Sequence, residues 1–119
     1  MLGQLLTEHG SQVWLVNTGW SGGPYGVGNR MKLSYTRAMV RAALDGSLAT
    51  AKFTADPVFG LQLPQAVAGV PSEVLDPRRT WTDGAAYDTQ AAKLAEMFRE
   101  NIKKFGVAVS PAILGAGPK

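Results

Sequence analysis

Apolar positions change period several times along the chain. Near the C-terminus, Tyr87, Ala91, Leu94, Phe98, Ile102 and Phe105 recur at steps of three and four. That stripe predicts a helix of about five turns with one inward face. Thr82 or Asp83 is placed to cap its start and Gly106 to stop it. Glu100 and Lys104 are spaced for an i,i+4 pair on its outer side. A second helix is predicted over Thr36–Leu44, with Met39, Val40, Ala43 and Leu44 as its apolar face. Ser34 or Thr36 suits its N-cap, and Gly46 follows its end. Residues 1–9 read as a shorter helix, in which Leu2, Leu5 and Leu6 share a face ahead of Gly10. No capping residue precedes it, so it reads as the end of a longer helix.

Between the helices the pattern shortens. Gln12–Asn17 is a brief apolar run of β-formers bracketed by Gly and Ser, which predicts a buried strand with Trp14 in the core. Arg30–Leu33 alternates charged and apolar, as a short strand would. Residues 51–68 predict two extended segments broken at Asp56-Pro57 and at Pro64. Val70–Pro77 has room for one helical turn, closed by a second Asp-Pro. Val107–Lys119 is rich in small residues and Pro, and a loose tail is expected. The fold class is therefore α/β, with two main helices and a few short strands. Residues 1–106 form the folded part and 107–119 the tail. A chain of 119 residues is one domain's worth, and should bury about two-thirds of its unfolded surface.

Composition narrows the chemistry. There is no Cys and a single His, His9. A disulfide framework, a thiolate zinc site and a cysteine nucleophile are excluded, as is a metal site built on paired histidines. No apolar run approaches the ~20 residues of a membrane span, and residues 1–9 lack the basic flank of a signal peptide. A cytoplasmic location is the default. Net charge is +3, and the excess is local. Arg30, Lys32, Arg37 and Arg41 fall in one stretch with no acid among them. Such a stretch suits a phosphate-bearing ligand, but on charge alone a solvated helix face is the better reading.

Gly19–Gly28 is the main candidate for chemistry, because five of its ten residues are Gly. Such a loop lets backbone N–H groups approach a ligand. It is not a phosphate loop, because Asn29 and Arg30 stand where Lys and Ser/Thr are needed. Nor is it a dinucleotide fingerprint, because the third glycine is missing. Arg30 and Thr36 offer a guanidinium plane and a hydroxyl, the groups that stack on an adenine and bond its edge. The same two residues also read as a surface cation and a helix cap. The acids Glu73, Asp76, Asp83 and Asp88 face no nucleophile. A rival class is nucleic-acid binding, for which Trp20, Tyr25, Tyr35 and the four cations form a thin basic and aromatic stretch.

Several uncommon strings then occur together. They are Val13-Trp-Leu-Val-Asn-Thr-Gly-Trp20, Gly22-Gly-Pro-Tyr-Gly-Val-Gly28 and Arg30-Met-Lys-Leu-Ser-Tyr-Thr-Arg-Ala38. Further on come Asp56-Pro-Val-Phe-Gly60, Gly69-Val-Pro-Ser-Glu-Val-Leu-Asp-Pro-Arg78, Thr80-Trp-Thr-Asp83 and Phe98-Arg-Glu-Asn-Ile-Lys-Lys-Phe105. From about Leu2 onward the chain resembles the C-terminal part of the ATP-dependent phosphoenolpyruvate carboxykinases. The resemblance implies part of a mononucleotide-binding lobe, from a family that converts oxaloacetate and ATP to phosphoenolpyruvate, carbon dioxide and ADP in gluconeogenesis. It implies that Arg30, Met31 and Thr36 hold the adenine of ATP. The full-length family enzyme also uses Mg2+ and Mn2+. The resemblance places their ligands, the phosphate loop and the oxaloacetate-binding arginine outside this chain. No catalytic residue is therefore expected here, and the chain alone should be inactive. Its expected partners are ATP and the remainder of the carboxykinase chain, without nucleic acid or membrane, and self-association is expected through apolar surface left open. The alternative is a non-catalytic nucleotide- or RNA-binding module.

Overall fold

The computed structural model describes residues 2–119 and is built mainly from helices. Helix α1 spans Leu2–His9 and is exposed along nearly all its length. A segment without regular secondary structure follows to Gly19. Strands β1 (Trp20–Ser21) and β2 (Asn29–Arg30) pair antiparallel, with Trp20 opposite Arg30, and the Gly-rich loop joins them. Helix α2 spans Leu33–Leu44, and a 3-10 turn covers Ser47–Thr50. Strands β3 (Phe53–Ala55) and β4 (Gln62–Pro64) form a second hairpin. The short helix α3 (Ser72–Leu75) and a 3-10 turn at Pro77–Thr80 lead into α4, Gly84–Ile102. Short 3-10 turns over Lys103–Ala108, broken by a kink at Gly106, precede α5, Pro111–Gly115.

Most of these elements follow from local chemistry. The Asp83 side chain accepts from the N–H groups of Ala85 (2.9 Å) and Ala86 (3.1 Å), satisfying two of the donors that open α4. The turn between β3 and β4 is tied by Asp56, which accepts from Val58 and Phe59. Both extended segments expected in 51–68 are present and pair with each other. The single helical turn after Val70 is α3.

Three expectations are corrected. Gln12–Asn17 is neither a strand nor buried: Leu15 is 81% exposed and Val13 61%. A strand needs a neighbour to bond its N–H and C=O groups, and among the described residues none lies beside it. Only Trp14 is drawn in, half-buried against the core and stacked on Phe53 with ring centroids 6.1 Å apart. Second, α2 starts at Leu33, so the short strand ends at Arg30. Lys32 occupies the N-cap with no side-chain bond, and Ser34 and Thr36 lie inside the first turns. Third, the buried faces are rotated from those expected. On α2 the inward side is Tyr35, Ala38, Met39, Ala42 and Ala43, while Leu44 is 83% exposed. On α4 the buried residues are Ala91 and Ala95, and Phe98 is half-exposed.

The core joins Ala42 of α2, Leu48 of the first 3-10 turn, and Val67 and Val70, which bridge each other. Gly69, with φ +80°, makes the turn between them in the left-handed conformation that favours glycine. The core is small for the chain. The accessible surface is 9002 Å², against about 6,200 Å² for a compact monomer of this mass. The radius of gyration is 16.0 Å, against about 13.5 Å for a compact chain of this length. About half of the unfolded surface is buried rather than the expected two-thirds. On α4 the pair is Glu100 with Lys103 rather than with Lys104. The C-terminal Lys119 donates its N–H to Val58 at 2.9 Å and accepts from Arg99 at 3.0 Å.

Because Asp83 bonds two of the open donors of the longest helix, Asp83→Ala should lower the unfolding free energy by about 1 kcal/mol. Urea titration of the two proteins checks this.

Candidate functional site

The Gly-rich loop is a tight structure. Pro24 O accepts from the N–H groups of both Val27 and Gly28 at 3.0 Å. A Cβ on Gly28 would stand 2.7 Å from Ser21 O and 2.8 Å from Gly23 O, so no larger residue fits there. Trp20 and Tyr25 meet edge to face, with centroids 5.5 Å apart, on the outer side of the hairpin. After β2, Met31 donates its N–H to Gly19 O at 3.0 Å, which holds the chain to the hairpin until α2 begins.

This arrangement places Arg30 and Met31 on the rim of one open hollow of about 350 Å³. Lys32, Tyr35 and Arg79 also line it, with Glu73 as the single acid. Lys32 stands over the Tyr35 ring, 5.6 Å from its centroid. The basic stretch is therefore split by function. Arg30 and Lys32 face the hollow, whereas Arg37 and Arg41 line a separate groove along α2 with Val40 and Leu44. Thr36 lies on that second groove, and its N–H donates to Lys32 O at 3.3 Å. Of the three residues singled out in the sequence, Arg30 and Met31 share the hollow, whereas Thr36, on the first turns of α2, lines the separate groove instead. Among the described residues, no group of three His, Asp or Glu gathers as a metal site.

The far wall of the hollow was not legible in the sequence. It is the 3-10 turn Pro77–Thr80, whose Thr80 hydroxyl accepts from Gly22 N–H at 3.2 Å, across 58 residues. No local pattern announces such a bond. The turn is held in its own right. Asp76 accepts from Arg78 N–H at 3.1 Å. The Arg78 guanidinium grips Asp88 of α4 at both oxygens, 2.8 and 3.0 Å. Its hydrogen bonds hold the Asp88 carboxyl below the ordinary aspartate range. The acids thus serve the backbone and this clamp. Asp45, Asp56, Asp76 and Asp83 each accept from N–H groups two or three residues on.

A partial α/β unit with a glycine-rich hairpin beside a basic hollow is a class of arrangement, and comparison with known proteins makes it particular. The family model described as phosphoenolpyruvate carboxykinase matches residues 1–73. A phosphoenolpyruvate carboxykinase (ATP) of Lysinibacillus sphaericus is 63% identical over 117 residues, covering 98% of this chain and 22% of that protein. One from Rubrobacter xylanophilus is 58% identical over 118 residues, and one from Thermus thermophilus 50% over 119, each again with 22% of its length covered. The chain belongs to the ATP-dependent phosphoenolpyruvate carboxykinase family, and it spans about a fifth of the length of the curated relatives it matches. No helix of the described residues is long and apolar enough to cross a membrane.

The Arg78–Asp88 clamp carries a pH signature. A carboxyl whose folded pKa is depressed contributes stability above its unfolded pKa, about 3.9, and loses it as pH falls through the folded value. The stability gap between the native chain and Asp88→Asn should therefore be full near pH 6 and shrink below about pH 4. Urea unfolding across that range reads the gap directly.

Proposed function

We propose that this chain supplies the adenine side of the ATP site in an ATP-dependent phosphoenolpyruvate carboxykinase. In that reading Arg30 stacks on or covers the base, Met31 packs against it, and Thr36 bonds its edge. The observation that carries it is the placement of Arg30 and Met31 by the glycine-rich hairpin at one hollow, with Thr36 on the adjoining helix turns. The reaction served is conversion of oxaloacetate and ATP to phosphoenolpyruvate, carbon dioxide and ADP, in the cytoplasm. The Mg2+ and Mn2+ of that reaction are held by residues outside this chain. So are the groups that stabilise charge on the transferred phosphoryl. By itself the chain is inactive and binds ATP at about millimolar affinity or weaker, since few of the phosphate contacts are present.

The partner is the remainder of the carboxykinase chain. Val13, Leu15 and Val16 of the β-forming run Gln12–Asn17 are exposed, and Val40 and Leu44 leave an apolar stripe on α2. Both are surfaces that another part of a larger fold covers. Without that cover they drive self-association.

In the full-length enzyme, Arg30→Ala should raise KM for ATP about five- to tenfold, the effect of losing a stacked cation worth ~1 kcal/mol. Steady-state kinetics at varied ATP tests it, and an unchanged KM refutes the assignment. Submicromolar ATP binding by the chain alone, or ATP displaced by single-stranded RNA, would favour a free-standing binding module instead. For the isolated chain, light scattering should give a mass above 12.6 kDa. Leu15→Lys with Leu44→Lys should return it to the monomer.

A further inference from the structure

We propose that Thr80 is a positioning residue for the nucleotide edge. Its hydroxyl sets the glycine-rich hairpin, and through it Arg30 and Met31, against the 3-10 turn Pro77–Thr80. The inference rests on the adenine reading given above and adds a residue to it. Thr80 Oγ1 donates to Pro77 O at 2.7 Å and accepts from Gly22 N–H at 3.2 Å. Its one proton is committed inward, so a lone pair is left aimed at the loop. Among the described residues, this is the one hydrogen bond that joins residues 20–28 to an element beyond the hairpin. The backbones are also in close contact, since a Cβ on Gly22 would stand 3.0 Å from Thr80 O.

The two ends of this bond belong to the same hollow. Ser21, Gly22, Arg30, Met31 and Thr80 all line it. Ser21 pairs with Asn29 and Trp20 with Arg30, so a shift of the loop at Gly22 moves β2 and the residues it carries. The turn is the fixed partner, because Arg78 clamps it to Asp88 of the longest helix. Position thus passes from α4 through Arg78 to Thr80, and from Thr80 to the hairpin. Thr80 touches no reacting atom. It acts through the placement of Arg30 and Met31.

The test uses the full-length carboxykinase carrying this segment, with kcat and KM measured for ATP and for oxaloacetate. Thr80→Val keeps the shape and removes both hydrogen bonds. It should raise KM for ATP about three- to tenfold, the scale of one lost hydrogen bond, with KM for oxaloacetate within about twofold of native. Thr80→Ser, which keeps the hydroxyl, should restore KM for ATP. Thr89→Val removes a hydroxyl bonded only within α4 and should move neither constant. A native KM for ATP in Thr80→Val overturns the proposal, as does a parallel worsening of both KM values with kcat, which marks general loss of fold. Arg30→Ala, run alongside, separates the two readings. If it raises KM for ATP and Thr80→Val does not, the positioning role falls and the adenine edge stands. If Arg30→Ala changes nothing, the adenine edge falls and the Thr80 role with it. Should Thr80→Val fail to fold, Thr80→Ala against Thr80→Ser decides by the same criterion.

Discussion

Everything in this chain hangs on a core made of small side chains. Ala42, Leu48, Val67 and Val70 form its cluster, and on α4 the deepest residue is Ala95, 1% exposed. Alanines bring backbones close together but contribute little apolar area each. The larger apolar groups, Leu15, Leu44 and Phe98 among them, stay at the surface. With so little burial, order has to come from short-range polar ties. Four aspartates fold back onto N–H groups two or three residues ahead, at Asp45, Asp56, Asp76 and Asp83. Each fixes one corner of the chain path. The chain is therefore a set of well-defined corners with a thin centre.

That economy explains where the acids went. In a catalytic unit of this family chemistry, carboxylates would be expected near phosphates and metal ions. Here they hold turns, cap α4 and clamp Arg78. What faces the hollow is mostly cationic and aromatic: Arg30, Lys32, Tyr35 and Arg79. Under the adenine reading proposed above, such a lining would meet a base and its neighbouring charge. The division matches a chain that spans about a fifth of its relatives.

The sequence was most informative where the cause is local. Helix α4 with its Asp83 cap, the end of α2 near Gly46, the β3–β4 hairpin and the turn at α3 are all set by residues within a few positions of each other. It misled where the cause is distant. Val13, Leu15 and Val16 carry the composition of a buried strand, but burial depends on a neighbour and not on the segment itself. The apolar stripes on α2 and α4 were likewise read from size. Yet the deepest positions are Ala42 on α2 and Ala91 and Ala95 on α4, while Leu44 and Phe98 stay open. Arg30 and Met31 stood out because a glycine-rich loop precedes them. Thr80 did not, because the bond that gives it meaning spans 58 residues.

That long bond, like the one from Lys119 to Val58, differs in kind from the local ties. The two hairpins and the aspartate corners close loops of a few residues, and such closures need little ordering of the chain. Joining Gly22 to Thr80 requires α2, both 3-10 turns, the second hairpin and α3 to be in place between them. The entropy of that whole stretch is set against a single hydrogen bond and a backbone contact. Seen as a folding problem, the wall of the hollow is a joint that closes only once the elements between its two ends are in place.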